Sequence, residues 1–91
     1  MEFEWNPRKA EINLQKHGIS FTEAGTVFGD NLAITVQDPD HSLNEDRFIT
    51  IGWSNRRRLL MVSHTDRDNL VRIISARELT KSERKEYEET N

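Results

Sequence analysis

Val71-Arg72-Ile73-Ile74-Ser75-Ala76-Arg77 runs through Glu78-Leu79 into Thr80-Lys81-Ser82-Glu83-Arg84-Lys85-Glu86-Tyr87-Glu88, and this stretch decides how the chain folds. Its first part is short, apolar and β-branched, as a strand is. Its second part is a charged helix opened by a capping box, with Thr80 as N-cap and Glu83 three residues on. Strict alternation puts Val71, Ile73, Ser75 and Arg77 on one side and Leu70, Arg72, Ile74 and Ala76 on the other, so both sides are largely apolar and the strand is expected inside a sheet. It nevertheless carries two guanidiniums, predicted on opposite faces. A buried or half-buried arginine needs a partner, either a protein carboxylate or a bound anion such as phosphate.

Working backwards from this strand, residues 59–65 and 47–54 read as two more, joined by the short connections Asn55-Arg56-Arg57-Arg58 and Asp66-Arg67-Asp68-Asn69. Both are short enough for hairpins. Leu32-Ala33-Ile34-Thr35-Val36 is a further strand, and the polar, turn-rich residues 38–46 read as a loop. Nearer the start, Asn6-Pro7 opens a helix over residues 7–17, which Gly18 closes as a left-handed C′ residue and His17 suits by charge. Ser20 and Glu23 form a capping box for a second helix, with Ile19 and Ala24 as its hydrophobic staple. That helix presents Phe21, Ala24, Val27 and Phe28 on one stripe and stops near Gly29. Phe3-Glu4-Trp5 alternates like a short first strand. The predicted class is α+β: a small antiparallel meander with two N-terminal helices packed on it and a charged C-terminal helix.

With 91 residues the chain is expected to form one domain. There is no cysteine, which excludes disulfide and thiol chemistry. No apolar run reaches the roughly 20 residues of a membrane span, and the first residues are acidic, unlike a signal peptide; the expected location is the cytoplasm. The net charge of −3 hides an asymmetry. Residues 1–46 hold three Lys and Arg against nine Asp and Glu, a balance of −6; residues 47–91 hold ten against seven, a balance of +3. A basic face on a mildly acidic protein can meet a polyanion, although mixed surface charge is the simpler reading.

His64 is the one histidine within a predicted strand, and its ordinary titration range suits a general acid or base. Arg47, His64 and Arg77 could border one apolar face at the strand ends, with Arg72 on the other, but sequence leaves the register open. The Arg56-Arg57-Arg58 tip is either a solvated turn or a grip on a nucleic-acid backbone, with Arg58 and Lys81 as further phosphate contacts. His41 lies beside Asp38 and Asp40 without a second His or Cys at ligand spacing, so no metal is expected there. Trp5 and Trp53 read as core. The absence of a P-loop, dinucleotide fingerprint or zinc motif argues against a cofactor.

Trp5-x-Pro7-x-Lys9, Asn13-x-x-Lys16-His17-Gly18-Ile19-x-Phe21-x-Glu23-Ala24 and Val27-Phe28-x-Asp30 resemble the N-terminal half of the BrnT toxins. Asp38, His41, Glu45-x-Arg47, Ile51-Gly52-x-Ser54, the Arg72–Arg77 run and Glu83-Arg84-x-x-Tyr87-Glu88 resemble the rest, in order over nearly the whole chain. Asn6 stands where that family usually has Asp, and Arg57 where a glycine is common. The resemblance implies a RelE/ParE-like fold and a type II toxin that arrests translation as a ribonuclease. It also implies a BrnA-like antitoxin partner with a ribbon-helix-helix region, in a heterotetramer that meets operator DNA through the antitoxin.

Charge placement and this resemblance together predict a metal-independent endoribonuclease that uses the RNA's own 2′-hydroxyl as nucleophile. Arg72 and Arg77 would stabilise the phosphate with Arg47 beside them, Arg77 being ranked the better of the pair for the scissile phosphate. His64 would move the proton, and Arg84 would add a phosphate contact. The alternative is a non-catalytic interaction module or co-repressor subunit whose strand arginines only pair with acids. A DNA-binding regulator in its own right is disfavoured by the acidity and by the lack of a helix-turn-helix or ribbon pattern.

Overall fold

The computed structural model describes residues 1–40 and 46–90. The chain runs β1 (Glu2–Glu4), α1 (Pro7–His17), α2 (Phe21–Thr26), a 3-10 turn (Val27–Gly29), β2 (Ile34–Gln37), β3 (Arg47–Trp53), β4 (Leu59–Arg67), β5 (Leu70–Glu78) and α3 (Lys81–Thr90). Five strands form one sheet in the order β1-β5-β4-β3-β2. Strands β2 to β5 are the expected antiparallel meander. The first strand sits one residue earlier than predicted and joins β5 in parallel, so β5 is interior, as its two apolar sides require. The second strand likewise begins at Ile34 rather than Leu32. Residues 41–45, most of the predicted loop, together with His41 and Glu45, lie outside the described residues.

The N-terminal helix forms as its caps dictate. Asn6 Oδ1 accepts from the backbone N–H of Arg8 and Lys9, Pro7 occupies the first turn, and Gly18 closes the helix at φ 70°. Ile19, Phe21, Ala24 and Val27 of the following segment are buried against Leu60, Val62, Val71, Ile73 and Ala76 of the sheet. The second capping box forms only in part. Ser20 Oγ accepts from Glu23 N–H, but the Glu23 carboxylate turns inward to Arg58 and Ser54, because a charged partner in the core binds it better than a backbone amide. Gly52 admits close packing: a Cβ there would stand 2.9 Å from Ala33 Cβ and 3.1 Å from Val27 Cγ1.

One irregularity rearranges the faces. Ser63 pairs with Ser75 and His64 with Ile73, so Ile74 is the extra residue of a β-bulge. Arg77 is five positions after Arg72, an odd step that in a regular strand puts them on opposite faces. The bulge removes one step of alternation, and both lie on the face turned away from α1 and α2. The expectation of opposite faces is therefore corrected. Asn13 of α1 holds β5 beyond the bulge: its side chain donates to Ala76 O and Ile19 O and accepts from Ala76 N–H.

Candidate functional site

The second face of the sheet is only partly covered. The last helix crosses it near Ile34, Ile51, Met61 and Trp53, and buries none of its own residues fully. Its position is set by Arg77, which donates through NH1 and NH2 to the two oxygens of Glu83 at 2.8 and 2.9 Å. Glu83 also closes the predicted capping box, accepting from Thr80 N–H while its own N–H donates to Thr80 Oγ1. The Arg77 fork holds the Glu83 carboxyl down at about 2, with the Thr80 amide adding to the effect. Arg84 lies 5.0 Å from the ring centre of Trp53 and reaches Glu88 at 3.5 Å, and Lys81 is exposed at the start of the helix.

At the other end the same face is open. Arg47 of β3 is opposite Thr65 of β4, Thr65 is opposite Arg72 of β5, and Arg72 is opposite Glu4 of β1. This cross-strand row sets the two arginines either side of a hydroxyl, with backbones roughly 10 Å apart at the usual strand spacing. Arg67, two residues beyond Thr65, projects from the same face. Glu4, Thr65, Arg67, Leu70 and Arg72 line an open cleft of about 460 Å³. Arg72 reaches Glu4 through NH1 alone, at 3.2 Å, in a pair about half exposed on each side. Arg47 is half-buried and has a partner of its own.

The predicted site residues thus separate into groups. The row contains Arg47 and Arg72. Arg77 is on the same face but roughly 13 Å along the strand, by four residues of β4, with its fork on Glu83. Both arginines meet a carboxylate, Arg77 through a two-pronged fork on Glu83 and Arg72 through a single, more exposed contact with Glu4. Arg58, predicted as a phosphate contact, instead grips the buried Glu23 through Nε and NH2 and donates to Gly18 O at 3.2 Å. That pairing holds the Glu23 carboxyl below its usual range. Neighbouring Arg57 sits at φ 62°, the left-handed bulge position of the hairpin, where a side chain costs roughly 1–2 kcal/mol.

His64 is not part of the row. It is 1% exposed on the helix side of the sheet, packed edge-on to Phe28 and stacked with Phe48. Its Nε2 is 2.7 Å from Thr50 Oγ1 and its Nδ1 2.7 Å from Asp66 Oδ1. The expected grouping of Arg47, His64 and Arg77 on one face is corrected: even spacing along β4 keeps His64 with Leu60 and Val62, facing the core. Sequence reasoning missed Glu4, Thr65 and Arg67. Alternation alone assigns Thr65 and Arg67 to one side, but only pairing across four strands brings them to Arg47, Arg72 and Glu4. Among the described residues no three His, Asp or Glu side chains converge as a metal site would require.

Comparison with known proteins assigns this architecture to the ribonuclease toxins. The family model described as "Ribonuclease toxin, BrnT, of type II toxin-antitoxin system" matches residues 5–83. The chain belongs to the BrnT family. Among solved structures it is similar to the Brucella abortus ribonuclease toxin BrnT, seen in a 1.1 Å crystal structure: TM-score 0.66 at 21% identity, over 89% of this chain and 99% of that one. That likeness shows the shared α+β fold. No curated protein matches the chain. A type II family implies an antitoxin partner. No helix among the described residues is long and apolar enough to cross a membrane.

Proposed function

We propose that this toxin is a cytoplasmic, metal-independent endoribonuclease that cuts RNA at the Arg47–Thr65–Arg72 row and so inhibits translation. In this reading a BrnA-like ribbon-helix-helix antitoxin neutralises it within a heterotetramer, and operator DNA is met through the antitoxin. The observation that carries the catalytic part is the cationic row, with Arg67 beside it and an open cleft along its Thr65–Arg72 end. The substrate supplies the nucleophile: a 2′-hydroxyl attacks the adjacent phosphorus, which restricts cleavage to RNA. Charge builds on the phosphate oxygens as the bond forms, and fixed guanidiniums on both sides of the Thr65 hydroxyl offset it. Because the nucleophile comes from RNA and the positive charge from arginine, the step needs no metal ion. His64 serves from beneath, fixing the β4 segment that carries Thr65 and Arg67 through Thr50 and Asp66. Arg77 fixes α3, whose Lys81 and Arg84 extend the cationic track toward Trp53.

The test is incubation of end-labelled RNA, and DNA of the same sequence, with purified protein in excess chelator. RNA should be cut to 2′,3′-cyclic phosphate ends while DNA stays whole. Arg47→Ala and Arg72→Ala should each slow cleavage on the order of 10²–10³-fold, as loss of a transition-state donor does. Intact RNA with the unaltered protein would sink the nuclease reading, and full-rate cutting by the double variant would sink this location for it.

A further inference from the structure

We propose that Glu4 is the general base that takes the proton from the attacking 2′-hydroxyl, a role that rests on the row being the phosphate site. The attack requires a proton acceptor within hydrogen-bond reach of that hydroxyl. Arginine keeps its proton in proteins and a threonine hydroxyl is a poor acceptor of one. Of the residues that line the cleft, Glu4, Thr65, Arg67, Leu70 and Arg72, only Glu4 carries a group suited to the task. His64 is buried on the opposite face with both ring nitrogens held.

Position agrees with chemistry. In RNA the 2′-oxygen stands next to the phosphorus it attacks, so the base and the guanidinium serving that phosphate must stand side by side. Glu4 Oε1 and Arg72 NH1 are 3.2 Å apart. Register fixes this arrangement, because Glu4 pairs with Arg72 across β1 and β5. The flanking aromatics hold the strand from the other face: Phe3 packs on Phe28 at 5.4 Å between ring centres, and Trp5 on the edge of Phe21 at 6.0 Å. With Phe3 and Trp5 turned inward, Glu4 is turned out onto the row.

Among the described residues, donor count separates Arg72 from Arg58 and Arg77. A guanidinium has five N–H groups. Arg77 directs three contacts at Glu83 and Glu78 O, and Arg58 three at Glu23 and Gly18 O, whereas Arg72 makes one, to Glu4. Arg72 can hold Glu4 and a phosphate together. An ion pair this exposed is also weak, so an arriving phosphodiester can shift it. In the step itself the carboxylate takes the 2′-hydroxyl proton, the O2′–P bond forms, and the P–O5′ bond breaks. The leaving 5′-oxygen takes a proton from water, and Glu4 later returns its own to solvent.

The experiment compares unaltered protein with Glu4→Gln, Glu4→Asp and Arg72→Ala, measuring single-turnover cleavage of RNA and affinity for the same RNA carrying 2′-O-methyl groups. Glu4→Gln should lose roughly 10²–10⁴-fold in rate. Its affinity for 2′-O-methyl RNA should be equal or tighter, since a negative charge is removed. Glu4→Asp should keep more activity than Glu4→Gln. Wild-type or faster cleavage by Glu4→Gln would overturn the assignment and leave Glu4 as a mere competitor for Arg72. Unchanged binding and cleavage by Arg72→Ala would instead overturn the site, and with it the base. A Glu4→Gln variant that loses thermal stability and 2′-O-methyl affinity together would show a structural role and also overturn the proposal.

Discussion

Replacing Asn13 tests the packing that holds the sheet on its helices. Its amide lies buried in α1, donating to Ala76 O at 2.9 Å and Ile19 O at 3.0 Å and accepting from Ala76 N–H at 3.1 Å. In an antiparallel strand the N–H and C=O of one residue point the same way, so those of Ala76 face α1 and not β4. Asn13→Ala therefore leaves one donor and two acceptors unpaired in the core. Each such group costs roughly 1–3 kcal/mol, and water entering the space left by the amide keeps the sum near the low end. The helix gains about 0.5 kcal/mol from alanine. The expected net loss is about 2–3 kcal/mol, out of a total on the order of 5–14 kcal/mol for a chain of this length. The melting temperature should fall by roughly 10–20 °C. Asn13→Leu is the sharper probe: leucine keeps the branched four-atom skeleton of asparagine and excludes the water, so it should lose more than alanine despite being more hydrophobic. Urea titration followed by far-ultraviolet circular dichroism reads both. A leucine variant as stable as the unaltered protein would refute the reasoning.

Arg58→Met keeps an unbranched apolar stem but removes the guanidinium and strands the buried Glu23 with only the Ser54 hydroxyl, and should destabilise by about 3–5 kcal/mol. The salt dependence of RNA binding should not change; a slope reduced by about one would show that Arg58 touches phosphate after all. For Glu83, the folded carboxyl lies at about 2 against the usual 4.5, a depressed value. Its contribution is complete above pH 4.5 and disappears as pH falls toward 2. With both side chains about one-third exposed, solvent screening reduces it to about 1 kcal/mol. The C-terminal helix should loosen over that window, visible in Trp53 fluorescence as Arg84 leaves the ring. Glu83→Gln should abolish the change, and its persistence in that variant would count against the fork as its cause.

Elements whose signals lie within a few residues could be read directly from the chain. The α1 boundaries follow from Asn6, Pro7 and Gly18, each acting on backbone groups no more than four positions away. The hairpins that order β3, β4 and β5 follow from short connections, and Thr80 with Glu83 closes its box as spaced. Even there a distant partner could prevail: Glu23 has the spacing of the same box, yet Arg58, 35 residues on, takes its carboxylate. The family motifs likewise named the class from ordered short segments.

What the sequence by itself determined was therefore the inventory of elements, the α+β class, the family and the cationic second half. Tertiary structure decided which cations stand together. A single extra residue at Ile74 turns Arg77 onto the face of Arg72, and no local pattern announces it, because a bulge is fixed by pairing with β4. Parallel addition of β1 brings Glu4 to Arg72 across 68 positions of sequence. Even spacing on β4 buries His64 while its neighbour Thr65 reaches the row. The physical reason is common to all three: a side chain's face depends on strand register, and register is set by contacts between segments far apart in the chain.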